Sequence, residues 1–391
     1  MTRTKHRWRY IAVGLLVLLV DAVGCLIVLI HQRGYCGSDF LSIEDQVTAA
    51  PYVQNVSDTA ATVMWRTAEP EDGAVLFGPG GDLSRSVDGE RVELHEVRLT
   101  DLTPGTAYVY QVQSDDTTYP VERFHTAPGA DGSVTAIVVG DTGSASSQQR
   151  QVAEVMEGMN GDLLLHTGDV VYKRGAACHY EERYYEPYEE LIDSVPMFPV
   201  LGNHDVLTDN GEPYLTAFSL PKASSGTERY YSFDYGPVHV AALDTELYYE
   251  DHAITTARQK AWLWEDLRAS DRPWKVVILH RPPYSSSAYH GGDPRVLEDL
   301  VGIFEEEGVD VVFAGHEHFY ERLRPIDGVT YIVTGGGGGD LRGAGTSELT
   351  VVSALRYRAL RVEITHDRLV VEAVGIDGVV FDRVELTSAG K

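Results

Sequence analysis

Cysteine is scarce in this sequence, with three residues in 391. Cys25 falls inside an apolar run, so Cys36 and Cys178 are the pair that a disulfide in an oxidising compartment would use; whether they meet is not written in the sequence. Nothing around Cys178 reads as a cysteine-hydrolase signature, so a catalytic thiol has no support. Basic residues are also few: 32 Lys and Arg stand against 59 Asp and Glu, giving a net charge of -27 and a pI near 4.8. A surface this acidic repels a phosphodiester backbone and argues against a nucleic-acid platform. It keeps the chain soluble, and it requires that an anionic substrate be drawn in by a local positive centre such as a metal ion. Internal repeats are missing. The glycine run "TGGGGGD", Thr334 to Asp340, lacks the Lys and Ser or Thr of a nucleotide P-loop, and reads as a flexible loop at a site rim with no direct catalytic part.

What is present suits a folded protein of two or three domains, with 43% hydrophobic and 23% charged residues. The start of the chain stands apart. "MTRTKHRWRY" carries Arg3, Lys5, Arg7 and Arg9 without an acid, and Ile11 to Ile30 is apolar apart from Asp21. Such a run makes a helix of about 30 Å, the thickness of a bilayer's hydrocarbon core. Asp21 costs about 2.5 to 3.5 kcal/mol at mid-membrane, whereas the fourteen Leu, Ile and Val of the run each return roughly 0.3 to 0.6 kcal/mol. Residues 1–34 are therefore predicted to form an uncleaved transmembrane anchor, with the basic flank cytoplasmic and everything after it extracytoplasmic. A cleaved signal segment, which would leave the protein secreted, is the alternative.

From 45 to 127 the chain reads as short strands ("TAATVMWRT", "GAVLFG", "HEVRLT", "TAYVYQVQS", "VERFHTA") separated by turn residues, the pattern of a small β-sandwich. Trp65 and the tyrosines of "AYVYQV" resemble those of a fibronectin type III domain, and the segment holds no cluster of ligand-type residues. After the linker "APGADGS" the texture changes, and 133–390 forms the next unit. Apolar runs that read as buried strands alternate with helix-like stretches such as "QRQVAEVMEGM" and "TARQKAWLWEDLRAS", and the chain ends in hairpin texture.

Five of those buried strands end in residues able to bind metal: Asp141; Asp169 with Tyr172; Asn203 beside His204; His280; and His316 with His318. Ligands gather outside the C-terminal ends of strands in open α/β sheets, so residues far apart in sequence can converge there. A single Asp or His at a strand end is usually a turn residue, but five in succession, with Gly140, Gly168, Gly202 and Gly315 beside them, form a pattern. Two carboxylates, a phenol, an amide and three imidazoles are too many for one zinc and suit two ions sharing a bridging carboxylate. Such a pair is the usual clamp for hydrolysis of a phosphate ester.

The blocks "GDTG", "GDVVY", "GNHD", "VILH" and "GHEHFYER" resemble, in order and spacing, the motifs of the metallophosphoesterase superfamily, and through the tyrosine of "GDVVY" and the trailing "YER" those of its purple acid phosphatases. The resemblance covers about residues 45 to 390. It implies a four-layer α/β or α+β fold, two mixed β-sheets flanked by helices, behind a fibronectin-like β-sandwich. It also implies that Asp141, Tyr172 and His318 hold a ferric ion, that Asn203, His280 and His316 hold a divalent ion (iron, zinc or manganese), and that Asp169 bridges the two. His204 matches a histidine that contacts the phosphate and could protonate the leaving group. His290, ten residues after His280, matches a substrate histidine. Plant-type members carry two adjacent histidines there; this chain has Tyr289 and His290, which leaves the identity of the general acid open. Tyr289 stands at a substrate-contacting position, yet it reads as packing, as do Glu321 and Arg322 behind the ligands.

The expectation is thus a membrane-anchored, extracytoplasmic phosphatase that cleaves phosphate monoesters through a metal-bound hydroxide. Two alternatives stay open: a phosphodiesterase on the same two-metal scaffold, and a cell-surface binding module with a vestigial site. The complete ligand set argues against the second. Oligomeric state is not legible.

Overall fold

The computed structural model describes residues 36, 47–249 and 253–388. The predicted span Ile11–Ile30 lies outside them, and among the described residues no helix is long and apolar enough to cross a membrane.

Strands β1 (Ala49–Gln54), β2 (Ala61–Glu71), β3 (Gly73–Pro79), β4 (Arg85–Asp88), β5 (Val92–Leu99), β6 (Ala107–Ser114) and β7 (Thr117–His125) build the sandwich. One sheet runs β1-β2-β5 and the other β4-β3-β6-β7. Strict alternation, as in β6, turns every second side chain inward. Val63, Trp65 and Val97 then meet Val75, Phe77, Tyr110 and Phe124 in a shared core. Trp65 is fully buried and stacks on His95 at 4.2 Å. Tyrosines fasten this domain to the next: the Tyr52 hydroxyl donates to the Ala217 carbonyl at 2.9 Å and that of Tyr110 to Asp193 at 2.7 Å.

The second domain contains two mixed sheets. Its elements are β8 (Val134–Val139), α1 (Ser147–Glu157), β9 (Leu163–His166), α2 (Glu186–Ile192), β10 (Met197–Pro199), α3 (Glu212–Ala217), β11 (Tyr231–Tyr235), β12 (Val238–Ala242), α4 (Ala253–Ala269), β13 (Trp274–Leu279), α5 (Pro294–Glu306), β14 (Val311–Ala314), β15 (Tyr320–Leu323), β16 (Thr330–Thr334), β17 (Thr350–Ala354), β18 (Arg358–Ile364), β19 (Arg368–Gly375) and β20 (Val380–Thr387). One sheet is ordered β10-β9-β8-β18-β19-β20, the other β11-β12-β13-β14-β16-β15-β17. Strands β8, β9 and β10 are mutually parallel, as are β12, β13, β14 and β16. Strands so apolar are buried on both faces. Ala136, Val138, Val240, Ile278 and Phe313 fill the space between the sheets, while Val277, Leu279 and Val312 pack outward against Leu263 of α4 and Leu300 and Phe304 of α5. Helix α5 starts where it does because Pro294 follows Asp293, whose carboxylate caps the backbone N–H groups of Arg295 and Val296.

Two long-range features shape the surroundings of the strand ends. Cys36 and Cys178 are joined by a disulfide, tying the segment before the sandwich to the loop after β9. The glycine run departs from the expectation of a flexible loop. Gly335 to Gly339 are all buried, and a side chain there has no room: a Cβ on Gly335 would lie 2.6 Å from Asp141 Oδ2, and one on Gly339 2.7 Å from the His318 ring. Glycine is needed because the chain after β16 passes directly beneath the strand-end residues.

Away from them, His239 of β12 is clasped by two carboxylates, Nδ1 to Asp234 at 2.8 Å and Nε2 to Asp266 at 2.9 Å. Burial opposes its charge, but these hydrogen bonds outweigh burial and raise its pKa from 6.5 to about 9. A histidine raised on folding contributes its full stability below about 6.5 and loses it as the pH climbs through about 9. Denaturant unfolding at pH 6, 8 and 10 should show a fall on the order of 2 kcal/mol across this range, discounted for the half-exposed Asp234, and His239→Gln should flatten it.

Candidate metal centre

Each parallel strand delivers its polar residue to the same edge. Asp141 follows β8, Asp169 follows β9 and Asn203 follows β10 in one sheet; His280 follows β13 and His316 follows β14 in the other. The site therefore lies where the C-terminal edges of two sheets meet. Backbone hydrogen bonds lace the loops together: Asp141 N–H donates to the Gly168 carbonyl at 2.9 Å, Tyr172 N–H to Gly143 at 2.9 Å, and Gly315 N–H to His280 at 3.0 Å.

The side chains converge in two groups. In the first, the Tyr172 hydroxyl lies 3.0 Å from Asp141 Oδ1 and 2.9 Å from His318 Nε2, and the last two atoms are 3.2 Å apart. In the second, His280 Nε2 lies 3.1 Å from Asn203 Oδ1 and 3.3 Å from His316 Nδ1. The Asp169 carboxylate stands between them, its Oδ2 3.6 Å from His280 Nε2 and grouped with Asp141 and His280 atoms all within 4.8 Å of one another. Separations near 3 Å are those of neighbouring ligands around an ion whose bonds are about 2.1 Å long, so the residues fit a pair of metal ions.

The remaining atoms of these groups are already committed. His280 Nδ1 donates to the Thr167 carbonyl at 2.8 Å and His318 Nδ1 to that of Asp340 at 2.8 Å, which leaves each Nε2 lone pair facing the centre. The His316 N–H donates to Asp141 Oδ2 and the His204 N–H to Asp169 Oδ1, both at 2.9 Å, so one oxygen of each carboxylate is left for the centre. Burial would raise the Asp141 carboxyl, but the His318 hydrogen bond and the surrounding imidazoles hold it below the ordinary range. Burial, then His280, keeps His316 neutral, the form a ligand requires. Burial and both carboxylates push the Tyr172 hydroxyl well above the usual phenol value, so its proton leaves only for a strong Lewis acid.

Backbone strain is concentrated on the same residues. Asp141, Asp169 and His316 have φ of 59°, 56° and 68°, left-handed values that cost a non-glycine residue about 1 kcal/mol or more each. Conformations this unfavourable persist because the packing around them is tight. A methyl group at Gly202 would overlap the Asp169 carboxylate, and one at Gly315 would lie 2.6 Å from Asp141 Oδ2.

Comparison with known proteins agrees with this geometry. The calcineurin-like phosphoesterase profile matches residues 134–320, and that of the purple acid phosphatase N-terminal domain matches 45–126. Acid phosphatase type 7 of Homo sapiens is 31% identical over 68% of this chain and 68% of its own length. The chain belongs to the purple acid phosphatase-like metallophosphoesterases. Purple acid phosphatase 21 of Arabidopsis thaliana is 31% identical over 63% of this chain and 58% of its own. The structure of purple acid phosphatase PPD1 from yellow lupin shares the fold, with a TM-score of 0.76 at 20% identity over 88% of this chain and 74% of that one.

This phosphoesterase places the other expected residues at the mouth of a cavity of about 550 Å³. The His204 ring packs on Tyr172 at 4.7 Å, its Nδ1 donating to the Lys173 carbonyl and its Nε2 3.9 Å from Asp169 Oδ2. His290 stacks on His316 at 4.4 Å, and Tyr289, 60% exposed, lies edge-on to His290. Arg322 pairs with Asp382 at 2.6 and 2.8 Å behind the ligands, whereas Glu321 accepts from Ser286 N–H and Oγ and so holds the His290 loop.

Several residues at the site went unnoticed in the sequence. Asp205 accepts the backbone N–H groups of Val170, Val171 and Gly202, clamping two ligand loops, and burial followed by the Asp169 charge raises it to about 7. Arg281, paired with buried Glu246, lies 3.2 Å from His316 Nε2, and Arg342 rests over the Tyr289 ring at 4.6 Å. Asp205 had a visible signal, the "GNHD" block itself; Glu246 and Arg342 had none, because both sit outside the motifs. A Gly202→Ala variant should displace Asp169, lower the metal content measured by elemental analysis from two ions per chain, and cost about 1 to 3 kcal/mol in thermal unfolding.

Proposed function

We propose that this protein hydrolyses phosphate monoesters at a binuclear centre, with Asp141, Tyr172 and His318 around a ferric ion, Asn203, His280 and His316 around a divalent iron, zinc or manganese, and Asp169 between them. The observation that carries this reading is the division of the donor atoms into two groups at ligand-to-ligand spacing on either side of Asp169. When bound, the ions neutralise phosphoryl oxygens and acidify a water for in-line attack. The chain's own residues do the rest. His204 and His290 flank the cavity, and each can hydrogen-bond the ester or supply a proton to the departing oxygen. The His204 ring is held by the Lys173 carbonyl and Tyr172, and stacking on His316 sets the plane of the His290 ring. Lys173, Arg183 and Arg342 line the same cavity and give an otherwise acidic protein a local cationic surface for an anionic ester.

We further propose an extracytoplasmic site behind the apolar N-terminal run, a reading supported by the Cys36–Cys178 disulfide, since such bonds persist in oxidising compartments.

The protein with its Cys36–Cys178 disulfide intact, loaded with iron and zinc or manganese, should carry two ions per chain and release phosphate from an aryl phosphate, with turnover of a bis-ester slower. Asp169→Asn should lower kcat about 100-fold or more, and Tyr172→Phe should bleach the visible absorption that a tyrosinate on ferric iron produces. A chain holding a single ion, or an Asp169→Asn variant with full activity, would overturn the assignment.

A further inference from the structure

Between the two histidines of "GHEH" lies Glu317, a residue to which neither the family motifs nor the ligand set gives a part. The turn that separates His316 from His318 buries it: Glu317 N–H donates to the Gly315 carbonyl at 2.8 Å, Phe319 N–H donates to the Glu317 carbonyl at 2.7 Å, and the side chain is 1% exposed. Among the described residues its carboxylate oxygens complete no hydrogen bond of good geometry, although the Ser287 hydroxyl is near enough to oppose the rise that burial causes in its pKa. An unsatisfied buried carboxylate costs more than about 1 to 3 kcal/mol, which an apolar residue at this position would avoid. An ionisable partner stands on the adjacent loop: His290 Nδ1 lies 3.2 Å from Glu317 Oε1.

The loop carrying His290 is held through its backbone. Glu321 accepts from Ser286 N–H at 2.8 Å and Ser286 Oγ at 2.5 Å, and Ala288 N–H donates to the Gly343 carbonyl at 2.9 Å. A Cβ on Gly343 would lie 2.6 Å from Ser287 Oγ, so the glycine loop and the His290 loop are in direct contact. These contacts place the His290 backbone, and the side chain, 41% exposed, takes its orientation from other groups. Stacking on His316 sets the ring plane, at 4.4 Å and 21°. It does not choose between the two flips of the imidazole.

We propose that Glu317 is the positioning residue for His290: by accepting a hydrogen bond from Nδ1–H it selects one ring flip and one tautomer and turns Nε2 toward the departing ester oxygen. The inference rests on the phosphomonoesterase reading above. In the step it serves, a water oxygen bonds to phosphorus, the ester P–O bond breaks, and the leaving oxygen takes the proton held on His290 Nε2. The proton lost by the water returns to solvent, from which His290 is recharged. Glu317 touches none of the reacting atoms and acts through the imidazole.

The test is Glu317→Gln, which keeps the volume and removes the anionic acceptor. Two-ion enzyme should lose about 10- to 100-fold in kcat on an alkyl phosphate, whose leaving group needs a proton, and at least about tenfold less than that on nitrophenyl phosphate, with KM for both changed by less than about threefold. In a His290→Asn background the same change should add almost nothing, because the two residues act as a unit. Nitrogen NMR of the imidazoles should show His290 protonated at Nδ1 in the unaltered protein and a mixture of tautomers in Glu317→Gln. Equal losses on both esters, additivity with His290→Asn, or an unchanged tautomer would overturn the proposal. So would loss of an ion in Glu317→Gln, since His290, His316 and Glu317 also lie close enough to gather a metal. If the unaltered two-ion protein cleaves neither ester, the phosphatase reading fails, and the imidazole spectrum still decides whether Glu317 holds His290.

Discussion

Two carboxylates, Asp141 and Asp169, lie side by side with almost no solvent contact, and most of the catalytic domain is arranged around that fact. In water such a pair would be harmless. Inside a protein each charge demands opposite charge or hydrogen-bond donors, and two like charges demand more. The backbone supplies part of the answer through the N–H groups of His316 and His204, and three imidazoles and a phenol supply more. Cations between the two groups of donors would supply the remainder. Asp205 carries the same problem one layer out, where three backbone N–H groups converge on a fully buried carboxylate.

Meeting these demands fixes the geometry of the loops. Residues from two different sheets have to reach one point, and side chains this short get there only if the backbone comes close. That is the reason for left-handed ligand residues and for glycines with no room for a methyl beside them. It also explains the glycine run after β16, which is a floor under Asp141 and His318. The sandwich domain takes no part in the donor set, and its tyrosines brace the catalytic domain from outside.

Much of the site could be read from the sequence because parallel strands leave a recurring trace: an apolar run, a glycine, then a polar residue. Asp141, Asp169, Asn203 and His316 show it in full and His280 shows it without the glycine, while the sandwich strands were visible through their alternation. Strand β12 also ends in acids, Asp244 and Glu246, but without the glycine that marks the other strand ends, and so it went unnoticed. Its buried Glu246 pairs with Arg281 beside a ligand, a contact that joins residues 35 positions apart. The glycine run was misread for a related reason. Glycine is as common in mobile loops as in tightly packed ones, and only the neighbours tell the two apart.

The sequence by itself determined which side chains are available and the order in which the strands deliver them, because ligand chemistry and strand patterning are local properties. It also contained both cysteines of the disulfide without showing that they meet. The tertiary structure decided everything that depends on distance: the division of the donors into two groups, the position of Asp169 between them, and the approach of Glu317 to His290 across two loops. The physical reason is that a hydrogen bond or a metal bond is set by tenths of an ångström, and separations of that size arise from packing between segments the sequence keeps far apart.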